Sequence, residues 1–178
     1  STSSLYEFGP QDIWTLFHSF AFDLSVWEIF ACLGHGGKLV IIPYWVSRSP
    51  DDYYRWLSEH KVTMLTQTPS AFKQLMKAEE QRDAELRLRL RWVILGGEEV
   101  AVKDLAGWFE RHGDESPRVM NMYGITETTV HTTYRRLVKA DVAVGRSVIG
   151  PAMEDMWIYI LDSVGKPVPV GVAGEIYV

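Results

Sequence analysis

Short, strand-length apolar runs, each followed by a longer amphipathic stretch, constrain the fold of this chain more than any other feature. Ile13 to Phe17, Leu39-Val40-Ile41-Ile42, Val62 to Leu65, Trp92-Val93-Ile94-Leu95 and the run ending at Asn121 have the length and apolar content of buried strands. Between them lie helical patterns. Leu24 to Leu33 carries Val26, Ile29, Phe30 and Leu33 at helical spacing, and Gly34 with Gly36-Gly37 stops it. Asp51 and Asp52 open a helix running to about Glu59, Pro69-Ser70 opens one through about Ala78, and a further helix spans about Val102 to Arg111. Strands alternating with helices predict βαβ units, a mainly parallel sheet covered on both faces, and an α/β class.

The pattern changes near Gly150-Pro151. Trp157 to Leu161, Asp162-Ser163-Val164-Gly165, Pro167 to Gly174 and Glu175 to Val178 read as hairpin material with little helix. Residues 1–150 are therefore expected to form an α/β unit and 151–178 to begin a second, β-rich one. The last run stops in mid-strand, as in a piece of a larger protein.

Composition narrows the classes of function. The 178 residues are 47% apolar and 23% charged, a globular balance, and the formal charge of −5 argues against a nucleic-acid partner. Arg87, Arg89 and Arg91 alternate with leucines and follow Glu79, Glu80, Asp83 and Glu85, which reads as a solvated segment. The single cysteine, Cys32, sits in an apolar run and is expected to be a buried, inert thiol in a reducing compartment. No apolar run reaches the length of a spanning helix and no signal opens the chain, so a cytoplasmic protein without a membrane partner is expected.

Candidate chemistry gathers where strands end. Val119-Met120-Asn121-Met122-Tyr123-Gly124-Ile125-Thr126-Glu127-Thr128-Thr129 leads from an apolar run into a loop suited to a nucleotide. Tyr123 offers a ring face, Gly124 a close backbone approach, Thr126 a hydroxyl and Glu127 an oxygen ligand for magnesium. A turn followed by a helix cap would use similar residues. Three more segments occupy equivalent positions: Phe22-Asp23-Leu24-Ser25-Val26-Trp27, Thr66-Gln67-Thr68-Pro69-Ser70 and Gly96-Gly97-Glu98-Glu99. Asp23 or Ser25 alone could be helix caps, and a glycine pair alone is commonly a turn. The chain has no Gly-x-Ser-x-Gly elbow, zinc-binding His-Glu-x-x-His, Gly-Lys-Thr phosphate loop or dinucleotide fingerprint. Of the histidines, His131 stands out as a pocket-wall candidate, whereas His18, His35, His60 and His112 read as structural or solvated.

Taken together, Phe22-Asp23-Leu24-Ser25-Val26-Trp27-Glu28, Gly96-Gly97-Glu98, Asn121-Met122-Tyr123-Gly124-Ile125-Thr126-Glu127 and the terminal Gly174-Glu175-Ile176-Tyr177-Val178 resemble the core motifs of the adenylation domains of nonribosomal peptide synthetases. These are adenylate-forming enzymes, with acyl-CoA ligases and luciferases as relatives. The motifs occur in the family's order across essentially the whole chain. Ile125 stands where the family often has proline.

The resemblance implies a flavodoxin-like sheet followed by the first strands of a β-barrel subdomain. It places Tyr123 on adenine with Asn121 and the Gly97 backbone nearby, Thr126 at the α-phosphate and Glu127 on magnesium. Asp23 would pair with the α-ammonium group of an amino acid. Leu24, Trp27, Thr66, Ile94, Gly96, Met122, Val130 and His131 would line a pocket for a small to medium, partly polar side chain. That set is close to threonine-type pockets, from which Leu24 and Thr66 depart.

The implied reaction joins an amino-acid carboxylate to the α-phosphate of ATP, giving aminoacyl-AMP and pyrophosphate. The aminoacyl group then passes to phosphopantetheine on a carrier protein, in peptide synthesis of the kind that makes antibiotics. Neighbouring synthetase domains are implied partners, and a small helper protein is a further one. The family's phosphate loop is expected before residue 1, and its ribose-binding aspartate, hinge and catalytic lysine after residue 178. The segment alone is therefore expected to be inactive. Two other readings are a catalytically silent folding or specificity module, and an acyl- or aryl-CoA ligase relative, which Asp23 disfavours.

Overall fold

A computed structural model of the protein describes residues 2–82 and 86–178. Asp83 and Glu85 of the acidic stretch lie outside the described residues. The chain runs through α1 (Thr2–Tyr6), β1 (Ile13–Leu16), α2 (Asp23–Leu33), β2 (Lys38–Ile41), α3 (Tyr44–Ser47), α4 (Pro50–Glu59), β3 (Met64–Gln67) and α5 (Pro69–Glu80). It continues through β4 (Trp92–Leu95), α6 (Ala106–His112), β5 (Arg118–Tyr123), β6 (Thr133–Leu137), α7 (Lys139–Val144), β7 (Tyr159–Leu161) and β8 (Glu175–Tyr177).

Helix starts follow local chemistry. Ser49 Oγ accepts the Asp52 amide at 3.3 Å and Pro50 begins α4, while Thr68 Oγ1 accepts the Ala71 amide at 3.3 Å and Pro69 begins α5. α2 differs: its cap position is Phe22, without a side-chain cap, and Ser25 Oγ donates to the Phe22 carbonyl at 2.8 Å. Asp23 is thus free of capping duty.

The main sheet has the order β2-β1-β3-β4-β5-β6. The first five strands pair in parallel and β6 pairs antiparallel with β5, Met122 opposite Tyr134. This is a flavodoxin-like order with its switch point between β1 and β3, but two adjoining cavities lie beyond the ends of β4 and β5, with Asp23 and Leu24, after β1, on one side of the smaller. Alternation along the strands divides the core. Leu65, Val93, Leu95 and Val119 join Tyr53, Leu57, Phe72, Leu75, Trp108 and Phe109 of α4, α5 and α6. Met64, Trp92, Ile94, Met120 and Met122 face Tyr6, Ala31 and Cys32 of α1 and α2. β7 and β8 form a separate antiparallel pair, Ile160 opposite Ile176.

Several expectations are corrected. The helix expected over Val102 to Arg111 begins as a 3₁₀ turn, Val102–Leu105, before α6. β6 and α7 carry no pattern that predicts them, because an edge strand with two arginines (Arg135 and Arg136) buries little of itself. The strand expected over Trp157 to Leu161 is confined to Tyr159–Leu161. Arg91 is exposed, as expected of a solvated segment, but it also reaches back to Asp12, Nε to Oδ1 at 3.1 Å, and donates to the Tyr6 carbonyl at 3.0 Å. Cys32 is fully buried, and burial with Asp12 nearby pushes its thiol up to about 11, so it is inert. Among the described residues no helix is long and apolar enough to cross a membrane.

Candidate active site

Two adjoining cavities open beyond the carboxyl ends of β4 and β5. The smaller, of about 230 Å³, has Asp23 and Leu24 from the start of α2 on one side and Met122 from β5 on the other. Val130, His131, Thr126 and Glu127 close it, over Gly96 and Gly97. The larger, of about 450 Å³, lies between the Gly97-Glu98-Glu99 turn and the Tyr123 side of β5, with Ser147 and Ile149 opposite. Gly97, Met122, Gly124 and Ile125 border both.

The loop after β5 is shaped by its backbone. Thr129 and Val130 both have positive φ, 63° and 73°, which is rare for any side chain and strained for a β-branched one. The reversal they make turns Val130 and His131 into the small cavity. It is held by the Thr132 amide donating to the Tyr123 carbonyl at 2.7 Å and by Thr128 Oγ1 lying 2.6 Å from Thr132 Oγ1. Gly124 is explained by the same fold-back: a Cβ there would overlap the Val130 carbonyl. Its expected role, allowing a ligand close to backbone, is therefore secondary to allowing the loop to close on itself. Gly97 has φ of 81°, which suits glycine at the turn between the cavities.

Not all expected pocket residues reach the cavity surface. Asp23, Leu24, Gly96, Met122, Val130 and His131 line the smaller cavity, with Thr126 and Glu127. Thr66 and Ile94 lie buried beneath it, 1% and 0% exposed, and Trp27 stands behind His131. Tyr123, Asn121 and Gly97 line the larger cavity, Tyr123 being 39% exposed. Asn121 is already engaged, its Nδ2 donating to the Val148 carbonyl at 3.0 Å, so it fastens the loop that forms the far wall.

The electrostatics of the small cavity are unbalanced. Asp23 and Glu127 form no hydrogen bond or ion pair among the described residues, leaving two carboxylates open to a ligand. His131 is held down to about 4 because burial disfavours its charged form, while Asp23 pulls weakly the other way. Its imidazole is neutral at pH 7. Beneath and beside the cavity, Thr66 Oγ1, Trp27 Nε1 and His131 Nε2 are buried without a hydrogen-bond partner. Buried atoms of this kind also occur away from the cavity, among them Trp108 Nε1 and Arg82 Nε, so they do not by themselves mark a ligand site. No group of three or more potential metal ligands occurs among the described residues. A lone carboxylate such as Glu127 fits the magnesium mode in which phosphates and water supply the remaining ligands.

Two motif residues have supporting roles that sequence reasoning does not assign. Glu28, fully buried, accepts the Phe17 and His18 amides at 3.2 and 3.3 Å through Oε2 and meets His18 Nδ1 at 2.8 Å through Oε1. It ties the β1–α2 loop to the helix that carries Asp23. Glu98 accepts from Ser70, N at 3.0 Å and Oγ at 2.8 Å, joining the glycine turn to the start of α5. Glu28 closes the Phe22–Glu28 motif, but nothing in that motif indicates its structural role.

With this geometry in place, the comparisons with known proteins are direct. The chain belongs to the AMP-binding enzyme family, whose sequence model matches residues 1–178. It is 51% identical over 180 residues to a dimodular nonribosomal peptide synthase of Bacillus subtilis and 45% identical over 179 residues to syringomycin synthase SyrB1 of Pseudomonas syringae. In both cases 100% of this chain is covered, but it spans only 8% and 29% of those relatives. Among solved structures, the Vibrio cholerae adenylation domain AlmE in complex with glycyl-adenosine-5′-phosphate superposes with a TM-score of 0.80 at 25% identity, over 98% of this chain and 32% of that one. The synthetase FmoA3 shares the fold, with a TM-score of 0.88 at 22% identity, over 98% of this chain and 19% of that one.

Proposed function

We propose that this segment selects the amino acid and holds part of the nucleotide in an enzyme that adenylates amino acids for nonribosomal peptide synthesis. The observation that carries the reading is Asp23, an unpaired carboxylate facing the same small cavity as Glu127 and His131. A carboxylate there suits an α-ammonium group, with charge-assisted hydrogen bonds that a plain carboxylic acid cannot form. This disfavours the acyl- or aryl-CoA ligase reading.

In this proposal the larger cavity takes adenine against Tyr123, between the Gly97 turn and the loop that Asn121 fastens. Thr126 and Glu127, on the wall of the smaller cavity, meet the α-phosphate, and Glu127 would be the protein's ligand to magnesium, which neutralises phosphate charge. The amino-acid carboxylate oxygen attacks the α-phosphorus. The bond from that phosphorus to the bridging oxygen breaks, and pyrophosphate leaves. These residues act by positioning and by matching charge. The phosphopantetheine thiol of a carrier protein then attacks the aminoacyl carbonyl, forming a thioester as the acyl–phosphate bond breaks and AMP leaves. Neighbouring synthetase domains and a small helper protein are further partners. The division at residue 150 between an α/β unit and a β-rich one belongs to the same reading.

For the side chain, we favour a small to medium residue with a hydroxyl, threonine-like. The polar side chains of His131, on the cavity wall, and of the buried Thr66 support it. The test is amino-acid-dependent ATP–pyrophosphate exchange by the full-length protein that carries this segment. Exchange with threonine or serine, lost in Asp23→Ala, is expected. Unchanged exchange in that variant would refute the pocket assignment, and exchange driven by carboxylic acids without an amino group would refute the substrate class.

A further inference from the structure

Behind the pocket wall stands a residue that no motif includes. Tyr6, at the end of α1, is 0% exposed, and its hydroxyl donates to Met122 Sδ at 3.1 Å. Its ring meets Trp27 edge-on, with centroids 6.1 Å apart at 64°. Trp27 in turn stands edge-on to His131, with centroids 4.9 Å apart. One side chain therefore touches two of the proposed pocket residues from the rear and reaches a third through Trp27.

The chemistry of the contact is informative. A thioether is a weak acceptor, and burying a phenol against one recovers little of what the hydroxyl loses on leaving water. Phenylalanine would fill the same space without that loss, so core stability does not explain the hydroxyl. Methionine has three rotatable side-chain bonds and adapts to irregular gaps. A pocket that distinguishes amino acids by a methyl group needs that wall fixed, and a donor on the sulfur selects one rotamer. Tyr6 is itself immobilised. It stacks on Phe8 at 5.2 Å and meets Trp92 edge-on at 4.9 Å, and Arg91, paired with buried Asp12, holds its carbonyl.

We infer that Tyr6 is a positioning residue for amino-acid selection, acting through Met122 and Trp27 to set the side-chain size the pocket admits. The inference rests on the reading of those two residues as pocket walls. It requires no contact between Tyr6 and substrate.

The test uses the full-length protein with Tyr6→Phe, Met122→Leu and the double variant, each assayed by exchange across serine, threonine, valine and leucine. Met122→Leu keeps the volume and removes the acceptor. In Tyr6→Phe, KM for the preferred amino acid is expected to rise about five-fold, the scale of one neutral hydrogen bond, with KM for ATP unchanged. Discrimination against the next larger side chain is expected to narrow. In the Met122→Leu background the same change is expected to do nothing further, because the hydroxyl has lost its partner. An unaltered amino-acid profile in Tyr6→Phe would overturn the inference alone, as would equal losses toward ATP and amino acid, or effects that simply add in the double variant. Failure of the wild-type protein to exchange with any amino acid would overturn the functional reading and this inference with it.

Discussion

The His131 imidazole stands edge-on to the Trp27 indole, ring centroids 4.9 Å apart at 87°, and each ring carries a buried nitrogen with no hydrogen-bond partner. His131 lines the small cavity together with Asp23, and Trp27 packs against His131. Burial holds His131 down to about 4, against about 6.5 for an exposed histidine, so its charge state links the pocket to the stability of the fold.

The sign of that linkage follows from the direction of the shift. A histidine with a depressed folded pKa binds its proton more readily when unfolded. Its contribution is present above about pH 6.5 and is lost as pH falls toward about 4. The loss reaches roughly 3 kcal/mol at the lower end, to within a factor of two. Urea unfolding of the wild type and of His131→Phe at pH 7 and 4.5 isolates this share. The difference between the two proteins should shrink with acidity, and a pH-independent difference would contradict a buried neutral imidazole.

Glu28 makes a second prediction. Burial pushes its carboxyl up, while His18 and the two backbone amides pull it back. Glu28→Ala strands two amides and an imidazole in a closed site, and stability should fall by about 3 kcal/mol or more. Glu28→Gln retains acceptor geometry and should recover part of the loss. Denaturant midpoints compared at constant slope measure both.

Gly124 supplies a third. A methyl group there meets the Val130 carbonyl, so Gly124→Ala must open the loop that seats Val130 and His131. Loops of this kind lie at the low-stability end of a fold, so the melting temperature should fall only by a few degrees, about 1–2 kcal/mol. Amino-acid affinity in the full-length protein should fall by at least about ten-fold, because misplacement of a wall by an ångström is expensive in a positioning site. Hydrogen exchange at Thr132 reports the loop directly, since its amide is bonded to Tyr123.

How much of this was legible beforehand follows from the range of each interaction. The central parallel strands announced themselves because a strand buried on both faces must be apolar throughout, as Trp92 to Leu95 is, whereas the apolar run at β2 forms an edge strand with Ile41 exposed. The positions of Asp23, Gly96 and Met122 were readable for a related reason: strand ends deliver residues to one edge of the sheet. β6 was not, because its alternation is weak and its pairing is decided by β5. Nor were the left-handed Thr129 and Val130, since neither residue type signals that conformation and only the surrounding hydrogen bonds hold them there. Tyr6 with Met122 and Arg91 with Tyr6 join residues 116 and 85 positions apart, beyond the reach of any local pattern.

Substitution of Thr66 tests stability and recognition separately. Its hydroxyl is buried and unpartnered, and an orphaned polar group costs about 1–3 kcal/mol. Thr66→Val keeps the shape and removes the orphan, so the protein without substrate should become more stable, by about 1 kcal/mol. If that hydroxyl faces a hydroxyl-bearing substrate, the same change should weaken exchange with threonine or serine while leaving valine and alanine nearly unaffected, raising their relative rates about ten-fold. Thermal melts and exchange assays on one preparation measure both quantities. A variant that gains stability and loses discrimination would place the orphan in the service of the substrate. A variant that loses stability would show that Thr66 has a partner within the fold, and a variant with unchanged ranking would remove it from the pocket.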